Sequence, residues 1–224
     1  MGILPISGRE TQDIPATEAA PILSLYLHQR NLPRFFPILQ QGYQVKVLRG
    51  ASIRTILCRD LGLGSEHLEG RIQTVFLNGK PVDDVDTALV SAGDTLALSA
   101  ATPNMGWVPF HWKGDCSASL QAGYNHLGEE QVTPRSACLV RLKLFNLLLE
   151  ELGPFFLEKG ILIKGSVLEE FLHHQPEDFW SGCLAVSLDG KGMDLRTLAT
   201  MAWPEEEDPV CLRVVFNLAT RGSR

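Results

Sequence analysis

The run "LEEFLHHQPEDF" sets Glu169, Glu170, His173 and His174 close together. Glu169 and His173 are four residues apart, as are Glu170 and His174. On a helix each pair therefore shares one face, and a carboxylate with an imidazole at that spacing can ligate a divalent metal. A complete site needs a third or fourth ligand, and Glu177 and Asp178 are the nearest in sequence. The competing reading is a solvated helix end whose histidines sit well against the negative C-terminal dipole. That reading is the expectation; Glu169, His173 and His174 remain the metal candidates, and no cofactor is expected.

A second grouping, "HWKGDC", holds His111, Asp115 and Cys116. A cysteine nucleophile needs an imidazole within hydrogen-bond reach of its thiol, and proximity along a Gly-rich stretch does not provide it, so no catalytic residue is assigned. Neither G-x-x-x-x-G-K-[ST] nor G-x-G-x-x-G occurs, which leaves no phosphate loop. Asp83, Asp84 and Asp86 are read as caps for a following helical turn. "EEED" (205–208), between Pro204 and Pro209, reads as a solvated loop or a docking site for a basic partner. Trp107, Phe110 and Trp112 form a possible interaction surface, because tryptophans anchor interfaces; they also fill seams between domains.

The elements that would position these groups follow from composition and period. The 224 residues suit one large or two small domains. A hydrophobic content of 45% with 21% charged residues is that of a globular chain. The net charge of −6 argues against sequence-independent nucleic-acid binding, which needs a basic face. Five widely spaced cysteines without a C-x-x-C pair are read as reduced thiols. No secretory signal and no apolar run of membrane-spanning length is evident, so a cytoplasmic protein without membrane contact is expected.

Residues 1–20 are read as a flexible arm. "ILSLYLH" and "YQVKVL" have the two-residue period of half-buried strands, and "NLPRFFPILQQG" between them reads as a loop with an apolar plug. Ser52 starts a helix through Ile53, Ile56, Leu57 and Leu61. "VFLNGKPV" is a hairpin on Asn78-Gly79, with Pro81 holding the return strand short or at an edge. "TLALSA" is a further strand. Residues 102–138 are a Gly/Pro-rich linker or wrapping segment. From Leu139 the stripe Leu142, Phe145, Leu149, Leu152 predicts a buried helix ended by Gly153-Pro154. "ILIK" is a short strand, "SVLE" a capping box, Asp189-Gly190 a hairpin turn and "VCLRVVFNL" a final strand. No internal repeat is evident. The expected fold class is α+β: an N-terminal β-grasp (ubiquitin-like) domain over 21–101 and a second α+β domain over 139–224.

The stretch 43–106 resembles the ubiquitin-like β-grasp sulfur carriers, namely the small subunit of molybdopterin synthase and its thiamine-pathway relative. The resemblance rests on "VKVLRGASIRTILCRDLGL", "VFLNGKPV" and "SAGDTLALSAATPNMG" in that order. It implies a last strand placed centrally in its sheet, and a carrier tail at Gly106. The carriers act through a free terminal glycine carboxylate, whereas Gly106 is followed by 118 further residues. Carrier chemistry would therefore require cleavage after Gly106. The expectation is a non-catalytic protein-interaction module that binds a protein partner or a second copy of itself. An enzyme with a site between the halves, using His111, Asp115, Cys116 or His173, and a cleaved carrier precursor are the alternatives.

Overall fold

A computed structural model of the chain describes residues 20–64, 71–100, 136–201, 203 and 208–217. The flexible-arm reading of 1–19 and most of the linker lie outside the described residues. So do Gly106, Trp107, Phe110, His111, Trp112, Asp115, Cys116 and the acidic run 205–207.

Alternating apolar residues make the strands. In β1 (Ile22–His28) Leu23, Leu25 and Leu27 are fully buried, and in β2 (Tyr43–Leu48) Tyr43, Val45 and Val47 point the same way. Between them Gln29–Phe35 is a 3-10 turn and α1 spans Phe36–Gln41, where a loop was expected. Pro37 sits in the first turn of α1, where its missing N–H has no helical partner to lose. Ser52 caps α2 (Ile53–Thr55), its hydroxyl accepting from the Thr55 amide, and the helix runs on into a π turn over Ile56–Asp60. The hairpin β3 (Thr74–Leu77) and β4 (Lys80–Pro81) follows, then β5 (Thr95–Ser99).

Residues 139–145 correct the expected helix. They belong to β6 (Ala137–Phe145), and only Leu148–Glu151 and Gly153–Lys159 are helical, as α3 and α4. Cys138, Val140, Leu142 and Leu144 are buried while Arg141 is exposed, a period of two that the richer helical stripe masks. The remainder runs β7 (Ile161–Lys164), α5 (Gly165–His173), α6 (Glu177–Ser181), β8 (Cys183–Leu188), β9 (Lys191–Gly192), α7 (Leu195–Thr200) and β10 (Pro209–Asn217). Lys164 occupies the N-cap of α5, so Ser166 lies inside the first turn rather than capping it.

The ten strands form one mixed sheet in the order β4-β3-β5-β6-β2-β7-β10-β1-β8-β9, and the fold is α+β. The expected start of a second domain at 139 lies within β6. β6 is wedged between β5 and β2, and β1 crosses to the far half, between β10 and β8. Outward from the antiparallel β2–β7 contact the pairings are the same on both sides: antiparallel to β6 or β10, then parallel to β5 or β1, then antiparallel to β3 or β8 and to β4 or β9.

Local geometry repeats with the topology, which reveals an internal duplication that the sequence reading did not find. Asn78-Gly79 and Asp189-Gly190 make matching hairpin turns, with φ of 52° and 77° in one and 49° and 76° in the other. Both turns clamp the neighbouring strand alike. Thr95 donates its amide to Asn78 Oδ1 at 2.9 Å, and Ile22 donates to Asp189 Oδ1 at 2.8 Å. Gly42 ends α1 at φ 106°, ψ 141°, and Gly160 ends α4 at φ 96°, ψ 128°. A side-chain-bearing residue rarely adopts that backbone. β1 thus takes in one half the place that β5 holds in the other.

Following the registers, every fully buried strand leucine, isoleucine and valine lies on one face of the sheet, and the core forms there with Phe35, Leu39, Leu148, Phe156, Leu168 and Phe179 from the helical segments. On the opposite face the strands present Ile22, Tyr26, Lys46, Arg141, Lys164 and Arg213, all exposed; among the described strand residues, those buried on that side are the small Ser24, Thr74 and Ser99. Among the described residues no helix is long and apolar enough to cross a membrane.

Candidate functional site

The acidic and histidine residues of α5 do not converge. His173, His174 and Glu170 are exposed, and the His174 ring Nδ1 lies 2.7 Å from the Glu170 carbonyl oxygen, a helix-end contact within its own turn. Asp178 is instead paired with Arg34 at 3.1 Å. Among the described residues no group of three or more His, Cys, Asp or Glu side chains could hold a metal. Asp84 accepts from the Asp86 amide at 2.8 Å, the local capping contact expected of it, while Asp86 itself reaches across to Arg54.

A shallow cleft of about 210 Å³ opens between α1 and α5, with Ile38, Val167 and Phe171 at its apolar side and Arg34, Glu170 and His174 on its rim. Its floor is backed by an aromatic cluster: Phe35 lies 4.9 Å from Phe171, 6.1 Å from Phe179 and 5.9 Å from Phe216, centroid to centroid. Packed rings of this kind fix the two helices against the sheet. The lining holds one carboxylate, one imidazole and one guanidinium, and no Ser, Thr or Cys.

The open sheet face is chemically more distinctive. The ten strands contain seven of the chain's twenty Lys and Arg residues and none of its twenty-six Asp and Glu residues. Five of these cations lie on the open face, on adjacent strands: Arg141 and Lys143 on β6, Lys46 on β2, Lys164 on β7 and Arg213 on β10. Four of the five repeat with the fold; Arg141 has Cys211 as its equivalent. Lys46 and Lys164 are each the fourth residue of β2 and β7. Lys143 and Arg213 each follow the residue that faces the start of those strands, since Tyr43 faces Leu142 and Ile161 faces Leu212. The remaining strand cations, Lys80 and Lys191, are also equivalent but stand on the edge hairpins.

The two glycines give these side chains room. A Cβ on Gly42 would meet Arg141 Cγ at 2.8 Å and Lys143 Cγ at 3.0 Å, and one on Gly160 would meet Cys211 Sγ at 2.8 Å. Arg213 donates from Nε to the Glu158 carbonyl at 3.0 Å, which holds its guanidinium at the end of α4. The apolar end of the face lies on the next strand, β1, at Ile22 and Tyr26, which are 43% and 41% exposed; the bulge residue Leu184 on β8 is 50% exposed.

Several groups escaped the sequence reading. Arg54 is buried to 6% of its side-chain area and pairs through both carboxylate oxygens of Asp86; a charge inside an apolar helical run gives no periodic signal. Tyr43 is buried beneath the sheet, burial pushes its phenol well above the ordinary tyrosine value, and its hydroxyl has no hydrogen-bond partner among the described residues. Cys138, Cys183 and Cys211 are free thiols, each raised by burial, with Arg213 opposing the rise at Cys211. Cys58 departs from the expected set of reduced thiols: it is disulfide-bonded. Comparison with family models, with curated proteins and with solved structures finds no match.

Proposed function

We propose that the chain is a non-catalytic protein-interaction module, in which β2 to β6 form a β-grasp-like half-sheet and the open sheet face receives the partner. One observation carries the reading: the described helices and core lie on one side of a ten-stranded sheet, and the other side presents Ile22, Tyr26 and five cations. Exposed apolar groups bordered by polar and charged residues mark protein-interaction surfaces. Strand addition at the edges is a weaker route. Both outer strands are two residues long, carry a lysine, and end in Pro81 or Gly192, the features by which sheets blunt their edges.

A carrier precursor fits less well. Cleavage after Gly106 would put β6 on the other fragment, and a carrier that departed would open the sheet between β5 and β2. An enzyme between the halves has no converging acid, base and nucleophile among the described residues to support it.

The test is a photo-reactive residue placed at Tyr26, with a control at Glu170 on the helical side, in the full chain expressed in its own host. A single product of defined mass from position 26 is expected. The captured protein, once purified, should bind the chain in solution and bind Tyr26→Glu more weakly. No product from position 26, or equal products from both positions, would end the reading.

A further inference from the structure

The charge of the open face says what kind of partner it takes. We infer that it is a docking surface for an acidic protein segment, gripped by two equivalent pairs of cations; the inference rests on the interaction-module reading above. Continuing the registers by a residue or two sets Lys143 and Lys164 on either side of Gly42, and Lys46 and Arg213 on either side of Gly160. With strands about 4.8 Å apart, the two members of each pair stand roughly 10 Å from one another. That separation accommodates one extended chain whose carboxylates reach to both sides.

Three observations converge on the acidic partner. Among the described residues, the ion pairs of Arg34, Arg54, Arg59 and Arg71 use acids of the helices and loops. Among the described residues Lys46, Arg141, Lys143 and Arg213 form none. Next, the duplication keeps four of the five cations, as the pairs Lys46/Lys164 and Lys143/Arg213, while the residues beside them on the open face change: Gln44 stands where the other half has Leu162, and the fifth cation, Arg141, where it has Cys211. Charge kept at equivalent positions, with the open-face residues beside it altered, points to a requirement of binding rather than of folding. Finally, the rest of the chain is strongly acidic, since the face holds five cations in a protein of net charge −6. A long polyanion such as nucleic acid would be repelled beyond the face, and the exposed strand side there offers Tyr26 as its one large exposed aromatic among the described residues, a poor platform for stacking bases. A short acidic segment with apolar side chains would meet the cations with its carboxylates and Tyr26 and Ile22 with its apolar groups.

The experiment titrates the full chain with a fluorescent peptide of about a dozen residues, rich in Asp and Glu with interspersed Leu and Phe. Such contacts are screened beyond about 10 Å at 0.1 M salt, so affinity should fall roughly tenfold or more between 50 and 300 mM salt. Lys46→Glu with Lys164→Glu should weaken binding at least about tenfold, with an unchanged urea midpoint to show that the fold survives. Lys80→Glu with Lys191→Glu makes the same change of net charge at the edges and should bind like the parent. The inference is overturned if the two double variants lose affinity equally or binding ignores salt. It is equally overturned if an oligo-dT or oligo-U of matched length binds more tightly than the peptide, or if sedimentation shows a salt-sensitive dimer that excludes the peptide. Loss of peptide binding with the position-26 product intact would remove this inference and leave the interaction module standing.

Discussion

Replacing Gly160 by alanine tests how tightly the start of β7 is fitted against β10. Gly160 has φ 96° and ψ 128°, and an added Cβ would lie 2.8 Å from Cys211 Sγ. Holding alanine in that backbone region costs about 1–3 kcal/mol. The overlap adds about 1–2 kcal/mol, because the atom met is the sulfur of a short side chain on strand β10, which must shift to admit the methyl. Stiffening the unfolded chain returns about 0.4–1 kcal/mol. The net loss should be about 3 kcal/mol, read as a shift of the urea midpoint with an unchanged slope. Gly42→Ala shares the backbone cost, but its neighbours are the Arg141 and Lys143 stems, which are long and can move; it should lose only about 2 kcal/mol. Cys211→Ala removes the offending sulfur, so in a double-mutant cycle with Gly160→Ala it should recover about 1 kcal/mol beyond additivity. A coupling indistinguishable from zero, or Gly42→Ala costing more than Gly160→Ala, would refute the reasoning.

Four further outcomes follow from groups described above. Tyr43→Phe removes a buried hydroxyl without a described partner and should be neutral or stabilising by up to about 1 kcal/mol in urea unfolding. Asp86→Ala strips the buried Arg54 guanidinium of a half-exposed partner and should cost about 1–2 kcal/mol, partly restored by Asp86→Glu. Leu25→Ala empties a fully buried position on β1 and should cost about 2–5 kcal/mol, more than Tyr26→Ala on the open face, by the same assay. Stability should fall on the alkaline side: Cys138, Cys183 and Cys211 keep their protons in the folded state to higher pH than in the unfolded chain. From about pH 8.5 upward the unfolded state therefore binds fewer protons and gains ground, and Tyr43 adds to this above about pH 10. Urea midpoints that stay flat over that range would contradict the burial of these groups.

What could be read from the sequence was what neighbouring residues decide among themselves. The alternation in β1 and β2, the Ser52 cap and both Asx-Gly hairpins are set by contacts a few residues apart, and Pro81 does keep β4 to two residues. Residues 139–152 failed because Leu139, Leu142, Phe145, Leu149 and Leu152 satisfy a helical stripe while Val140, Leu142 and Leu144 satisfy a strand; the vacant slot between β5 and β2 decided the matter, and nothing local announces a slot. The duplication was hidden for a related reason. It fixes only a few residues, the paired turns, the glycines Gly42 and Gly160 and the repeated cations, among strands otherwise largely unlike in sequence. The basic face was present as a signal, in Lys46, Arg141, Lys143, Lys164 and Arg213 at alternate strand positions with no acid among them. It became visible only when the registers brought those positions to one side.

The crossing of β1 also determines how the molecule bears load. β1 and β10 run parallel as neighbours, Ile22 beside Cys211 through to His28 beside Asn217, while β8 binds β1 on its other edge. A pull on the chain ahead of Ile22 and beyond Asn217 acts along these strands in opposite directions. The hydrogen bonds between them are then strained together instead of parting one after another. The sheet resists tension in that direction as a shear joint, whereas the same force applied at β4 would peel an outer hairpin of two residues. A partner held on the open face while the chain is under tension would sit on the part of the sheet that yields last.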